Sequence, residues 1–233
     1  MNSNIWKSLA LIMMGLVLGY LIGRFELTSI TIANEEVKKT QIEQEEKTEE
    51  PIVELVEATV DDDPFLGAEY AQVVIIDFSD YECPFCKKFY NNIFPDFKKD
   101  FLDTNKVKYV YRDFPLNIHP KAKNAAQAAE CARDQNRFWE MHAKLFEKQS
   151  EWRKSTDLNE TLVGYAVEIG LNKAVFSACL NDEKYLEEVE KDRADALAAG
   201  ARGTPTLFVN GEIIRGVPQS YESFKALIES ELE

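Results

Sequence analysis

Cys83 and Cys86, separated by Pro84 and Phe85, are the residues of this chain whose type and spacing most directly imply chemistry. Two cysteines spaced in this way can close and open a disulfide between themselves, or offer two thiolates to a metal. A structural zinc site would need two more ligands, usually a second close pair. The remaining cysteines, Cys131 and Cys179, stand singly and far apart, and the only histidines are His119 and His142. The pattern therefore favours a redox dithiol with no metal.

The elements around the pair sharpen this reading. Val73-Val74-Ile75-Ile76-Asp77-Phe78-Ser79 is an apolar, largely β-branched run and predicts a buried strand. Asp80-Tyr81-Glu82 then turns the chain into a helical pattern. Pro84 suits the first helical position, where its missing N–H would have no partner anyway. Cys83 is thereby placed at or just before a helix N-terminus, where free amides and the helix dipole favour a negative charge. A thiol there ionises more easily, and the thiolate is the nucleophile.

The chain has 233 residues and a formal net charge of −14, which argues against nucleic acid as a partner. The charge is uneven: residues 35–63 carry twelve acids against three lysines. Ser8 to Gly23 is free of charge and bounded by Lys7 and Arg24. Counted from Ile5 to Phe25, with those two cations reaching outward, the segment spans about 31 Å as a helix, enough for a bilayer core. No good signal-peptidase site follows, so an uncleaved membrane anchor over residues 1–33 is expected. No cysteine precedes Cys83, so a lipid-modified cysteine is excluded. Residues 34–51 read as an acidic, solvated linker. Ile52 to Val60 alternates and is expected to add a strand. Asp61-Asp62-Asp63-Pro64 reads as a loop with helix-capping acids in preference to a calcium site.

Beyond Cys86, Phe89, Ile93, Phe97 and Phe101 recur every fourth residue as a core-facing helical stripe, which Pro95 should kink. Val107 to Phe114 reads as a second strand, completing a right-handed parallel βαβ unit. Pro120 to about Gly200 is helical throughout. His142 falls on an apolar face as a packed core residue and His119 in a loop; neither is expected to be catalytic. Thr206–Val209 and Glu212–Arg215 flank Asn210-Gly211, a strong hairpin signal, and a helix from Tyr221 to about Leu232 closes the chain.

This order, with Cys83-Pro84-Phe85-Cys86 and Gly203-Thr204-Pro205-Thr206, resembles the DsbA-like branch of the thioredoxin superfamily. Asp61 to Gly67, Tyr111 to Leu116, Ala128 to Ala132 and Phe138-Trp139 share in the likeness, which runs from about Thr59 to the C-terminus. The resemblance implies an α/β, thioredoxin-like fold at 52–118 and 201–233 with an all-helical domain, 119–200, inserted in it. An N-terminal transmembrane helix and acidic tether would precede this fold. It implies that Cys83 is the exposed nucleophile, that Cys86 is the resolving thiol, and that Asp77 is a buried acid relaying a proton to Cys86. Burial in an apolar strand should raise the pKa of Asp77. Pro205 matches a cis-proline beside the disulfide, leaving the Thr204 backbone to pair with substrate, and Pro84 and Phe85 fall on the same substrate-facing surface. Cys131 and Cys179 each fall on an apolar helical face, where two buried free thiols are the plain reading; the resemblance implies instead a structural disulfide between them, which an extracytoplasmic domain would permit.

The expected function is a membrane-tethered, extracytoplasmic oxidoreductase that needs no cofactor. It would pass disulfides to reduced, unfolded secreted proteins and be reoxidised by a quinone-linked membrane partner. Two departures leave direction open. Phe85 stands where the strongest oxidases carry histidine, and Thr204 before Pro205 also occurs among isomerases. A disulfide isomerase or reductase, and a tethered chaperone whose cysteines idle, are the rival readings.

Overall fold

The computed structural model describes residues 57–233. The expected anchor (5–25), the acidic linker (34–51) and most of the strand expected at 52–60 lie outside the described residues. Among the described residues no helix is long and apolar enough to cross a membrane.

A five-stranded mixed sheet forms the centre, built from β1 (Phe65–Gly67), β2 (Val73–Ser79), β3 (Val107–Asp113), β4 (Thr206–Val209) and β5 (Glu212–Arg215), in the spatial order β1-β3-β2-β4-β5. β2 and β3 run parallel, with Asp77 opposite Tyr111, and every other pairing is antiparallel. Both faces of β2 are covered, which is why its sequence is a continuous apolar run instead of an alternation. Val73 and Ile75 face the larger core, while Ile76 and Phe78 face a second core with Val110 and Phe208. The hairpin turns on Asn210 (φ 46°) and Gly211 (φ 88°), the paired positive values that an Asn-Gly turn supplies.

The first strand differs from expectation. Residues 57–60 are not in a strand, and Phe65–Gly67 takes the outer position beside β3. Ala58 and Val60 instead pack against the second core. Gly67 has φ +87°, and a Cβ there would lie 1.9 Å from the Val107 carbonyl oxygen, so no larger residue fits the edge at this point.

The helix after the cysteines, α1 (Pro84–Asn92), stops at Ile93, earlier than Pro95 alone would require. A single turn, α2 (Phe94–Phe97), and a π-helical turn at Lys98–Leu102 follow. Pro95 sits at the start of α2, where it costs no hydrogen bond, so the predicted kink is a full break. The wider π turn keeps Phe101 and Leu102 buried although the repeat has been interrupted.

Between β3 and β4 lie α3 (Ala122–Arg133), α4 (Phe138–Glu147), α5 (Gln149–Trp152), α6 (Leu158–Glu168), α7 (Lys173–Asn181) and α8 (Leu186–Ala198). α9 (Tyr221–Ser230) closes the chain, opened by a capping box between Ser220 and Ser223. The alanine face of α3 is wholly buried, letting neighbouring helices approach closely. His142 on α4 is buried within a cage of rings that includes Tyr81, Tyr111 and Trp139, and the Tyr81 hydroxyl lies 3.0 Å from its Nδ1. Burial pushes the pKa of His142 down to about 3, so it packs as a neutral ring.

Arg112 ties the sheet to α8. Fully buried, it meets Asp192 and Asp195 on α8 and Asp63 in the loop before β1, and donates to the Thr59 carbonyl at 3.1 Å. A buried guanidinium needs such complete pairing to offset its desolvation.

Cys131 on α3 and Cys179 on α7 are joined by a disulfide, with Cα atoms 5.8 Å apart and 48 residues between them in sequence. Closing a loop of that length lowers the entropy of the unfolded chain by an amount equivalent to about 4 kcal/mol. Replacing both residues, Cys131→Ala with Cys179→Ala, should lower the unfolding free energy in urea by about that amount. An unchanged urea midpoint would mean that the bridge does not form in solution.

Candidate functional site

Cys83 is the residue immediately before α1, in extended conformation (φ −71°, ψ 127°), with Pro84 at the first helical position. This local geometry follows directly from the Cys-Pro sequence, because the residue before proline is biased to the extended region. Cys83 and Cys86 are both free thiols. Pro84 and Phe85 are exposed, Phe85 at 61%, and form the rim of the site.

The expectation of an exposed Cys83 requires correction: only 3% of it is accessible. Two segments distant in sequence close around it. The Thr204 carbonyl accepts from the Cys83 thiol at 3.4 Å, and Gln149 Nε2 donates to the carbonyls of Tyr81 (2.7 Å) and Cys83 (2.9 Å). The peptide bond between Thr204 and Pro205 is cis. A cleft of about 290 Å³ opens beside it, lined by Arg202, Gly203, Thr206, Arg215 and Gly216.

The two sulfurs have opposite surroundings. The neighbouring Cys86 thiol first, with the Thr204 side chain and the positive end of α1, favours negative charge on Cys83 and brings its pKa down to about 6 against the effect of desolvation. No α1 amide bonds the sulfur directly, and the Thr204 hydroxyl has no hydrogen-bond partner among the described residues. The contact with the Thr204 carbonyl alone would favour the protonated form, and the Cys86 thiol together with the positive end of α1 outweighs it. Cys86 is buried behind Cys83, and desolvation first, then the neighbouring Cys83 and Asp77, push its pKa far up. Its sulfur accepts from the Asp80 amide at 3.5 Å.

Asp77 lies beneath the pair, 1% exposed. Burial raises its pKa to about 7, opposed by the hydrogen bond from Tyr109 and by the nearby Ser79 side chain. The Tyr109 hydroxyl donates to Asp77 Oδ2 at 2.6 Å. Thus Cys83, Cys86, Asp77, Thr204 and Pro205 converge on one place, with Pro84 and Phe85 at its rim.

Several residues of the site are not evident from sequence. Asp80 and Glu82, read as turn residues, are buried clamps. Asp80 accepts from the amides of Glu82 (2.7 Å) and Leu116 (2.8 Å) and lies 2.7 Å from His119 Nδ1. Glu82 accepts from the Lys121 amide at 2.8 Å and faces Arg153 at 3.5 Å. Their alternation around Tyr81, just before the cysteines, is the one signal that could have found them. Gln149 gives no sequence signal. Carboxylates able to meet a cation gather as Asp61, Asp62 and Glu188, and as Asp63, Glu188 and Asp192, within 4.8 Å of one another. Arg112 already supplies positive charge to Asp63 and Asp192.

A helix-terminal thiolate, a shielded second thiol and a buried acid near neutrality together form a dithiol–disulfide exchange centre. The thioredoxin family matches residues 59–230. The chain is 33% identical over 175 residues to disulfide bond formation protein D of Bacillus subtilis, covering 73% of this chain and 77% of that protein. It superposes on the crystal structure of oxidised BdbD from Bacillus subtilis with a TM-score of 0.68 at 32% identity, covering 76% of this chain and 97% of that one. A Na(+)/H(+) antiporter, NhaA 3 of Salinispora tropica, is 34% identical over 78% of this chain, which spans only 26% of that longer protein. The chain belongs to the thioredoxin family, among its DsbA-like thiol–disulfide oxidoreductases.

Alkylation of the reduced protein followed by mass spectrometry should modify Cys83 with a pH midpoint near 6 and leave Cys86 unmodified through neutral pH. A midpoint above 8 at Cys83 would contradict the charge stabilisation described. Asp77 binds a proton more tightly when folded, so it contributes stability that is lost as pH rises from about 4 through about 7. Asp77→Asn should therefore gain stability over the wild type as pH rises across that window. Urea midpoints measured at several pH values check the sign.

Proposed function

We propose that this protein oxidises dithiols of other polypeptides by transferring the Cys83–Cys86 disulfide to them. The carrying observation is the asymmetry of the two sulfurs, one held as thiolate near neutral pH and the other strongly protonated. In the first step a substrate thiolate attacks Cys83 Sγ and the Cys83–Cys86 bond breaks. Cys86 leaves with the electron pair and takes up a proton, leaving a mixed disulfide on Cys83. A second substrate thiolate then attacks the substrate sulfur of that bond, and Cys83 leaves as thiolate. The substrate ends oxidised and the protein reduced. A low thiolate pKa at Cys83 favours the reduced protein and so makes its disulfide a better oxidant.

The name of the Bacillus subtilis relative supports the same direction. The substrates we infer are reduced, unfolded proteins outside the cytoplasm, presented by their cysteines at the cleft beside Thr204–Pro205. The Cys131–Cys179 bridge supports the extracytoplasmic location, since such bonds persist in oxidising compartments. Residues 5–25 would tether the protein to the membrane, where a quinone-linked partner would reoxidise it. Phe85 favours the second reading, a reductase or isomerase, because its exposed ring offers neither hydrogen bond nor charge to the Cys83 thiolate.

Equilibration of the full-length protein with glutathione buffers decides between these readings. An oxidase should show a potential near about −120 to −150 mV, whereas a value near about −250 mV or below would make the protein a reductant. Cys83→Ser should abolish oxidation of a reduced, unfolded test protein. If the wild type oxidises nothing, yet wild type and Cys83→Ser suppress aggregation of that test protein equally, the chain works as a chaperone and not through its thiols.

A further inference from the structure

We propose that Tyr109 is the positioning residue for proton exchange at Cys86: its hydroxyl ties one oxygen of Asp77 and leaves the other to carry the moving proton. The inference rests on the dithiol chemistry proposed above and adds a residue to it. Ile75 lies opposite Tyr109 and Asp77 opposite Tyr111 in the parallel β2–β3 pair. These side chains share the face of the sheet that packs against α1, so Tyr109 reaches Asp77 diagonally across the strands. Its hydroxyl donates to Asp77 Oδ2 at 2.6 Å, whereas Asp77 Oδ1 is buried with no hydrogen-bond partner among the described residues.

An orphan carboxylate oxygen in a closed core is costly unless something uses it. The group in its electrostatic neighbourhood that gains and loses a proton in each cycle is Cys86, whose pKa Asp77 helps to raise. When Cys86 leaves the disulfide as a thiolate, protonated Asp77 gives it a proton. When Cys86 must attack a mixed disulfide, the Asp77 carboxylate takes that proton back. Only an acid whose free oxygen is kept pointing in a fixed direction can serve both steps. The Tyr109 ring is fixed by its neighbours, with Phe94, Phe97 and Trp139 centroids at 5.3, 5.7 and 6.1 Å. The titratable groups around Asp77 are Tyr109 and Tyr111 on β3, Tyr81 in the turn, and Cys83 and Cys86 at α1; the Ser79 hydroxyl also faces it. Tyr109 and its two tyrosine neighbours stay protonated through the working range, which leaves Asp77 and the thiols to set the profile.

The test follows oxidation of the reduced, full-length protein by glutathione disulfide. In the first phase the Cys83 thiolate attacks glutathione disulfide, releasing one glutathione and forming a mixed disulfide. In the second, Cys86 loses its proton to Asp77 and attacks Cys83 Sγ, releasing the second glutathione. Tyr109→Phe removes a donor that favours the carboxylate. Its second phase should keep a pH midpoint but display it about one pH unit higher, about tenfold slower below that midpoint, with the first phase unchanged. Asp77→Asn should lose the midpoint altogether. Should Tyr109→Phe not fold, 3,5-difluorotyrosine placed at position 109 keeps the ring and strengthens the donor, and must move the midpoint down. A second-phase profile that overlays the wild type in either variant overturns the role given to Tyr109. If the wild type exchanges through Cys83 in that experiment, the failure touches Tyr109 alone; loss of exchange through Cys83 would instead remove the functional reading beneath it.

Discussion

The whole site depends on holding two sulfurs one helical turn apart while treating their charges oppositely. A thiolate costs a great deal of free energy in an apolar core unless donors are aimed at it. Cys83 stands at the mouth of α1, where the helix dipole favours negative charge, and the Cys86 thiol adds the largest stabilisation. Cys86 lies within the helix and behind the first sulfur, so the same burial makes its thiolate unfavourable. The difference shapes exchange: Cys83 is the sulfur that leaves readily as a thiolate when a mixed disulfide is resolved, and Cys86 must be given or relieved of a proton each time the internal disulfide opens or closes. A buried acid near neutrality answers that need, and β2 supplies it as Asp77.

Keeping this arrangement requires that the turn before the cysteines not move, and the helical insert is used to hold it. Asp80 and Glu82 grip backbone amides of the segment that leads into α3, while Gln149 on α5 holds the carbonyls of Tyr81 and Cys83. The Tyr81 ring between those two acids packs into the cage around His142 on α4. One face of the turn thus bonds to the insert and the other faces the strands. Because each clamp uses a side chain from one element and backbone from another, sheet and insert set the position of Cys83 jointly.

Much of the fold was legible because the strongest signals are local. The apolar run at Val73–Ser79, the Asn210-Gly211 hairpin and the Cys-Pro helix start each follow from a few neighbouring residues. β1 was missed because three residues carry no periodicity and its place is decided by the partner strand. The break at Ile93 was placed too late because a π turn, which keeps Phe101 inward, lies outside a period of four. Within the site, Cys83 and Cys86 could be picked out from strand and helix patterns, and Asp77 and Pro205 only through the family resemblance. The burial of Cys83 could not, since it is made by Thr204, 121 residues away, and by Gln149, which looks like any polar helix residue. Tyr109 was hidden for a related reason: in sequence it is one more aromatic strand residue, and its role exists only where β3 lies beside β2.

The direction of exchange turns on how much of the Cys83 stabilisation comes from the backbone. A histidine between the cysteines would add charge or a hydrogen bond, and Phe85 adds neither. Its ring is exposed and leaves the sulfur to other donors. What remains is the Cys86 thiol, the largest influence, and the positive end of α1. That end is fixed by the helix and acts whatever residue occupies position 85. A thiolate held this way is weaker than one assisted by an imidazolium, yet still well below an ordinary thiol. The lower the Cys83 thiolate is held, the more oxidising its disulfide becomes, and Phe85, which adds no donor of its own, limits how far that can go.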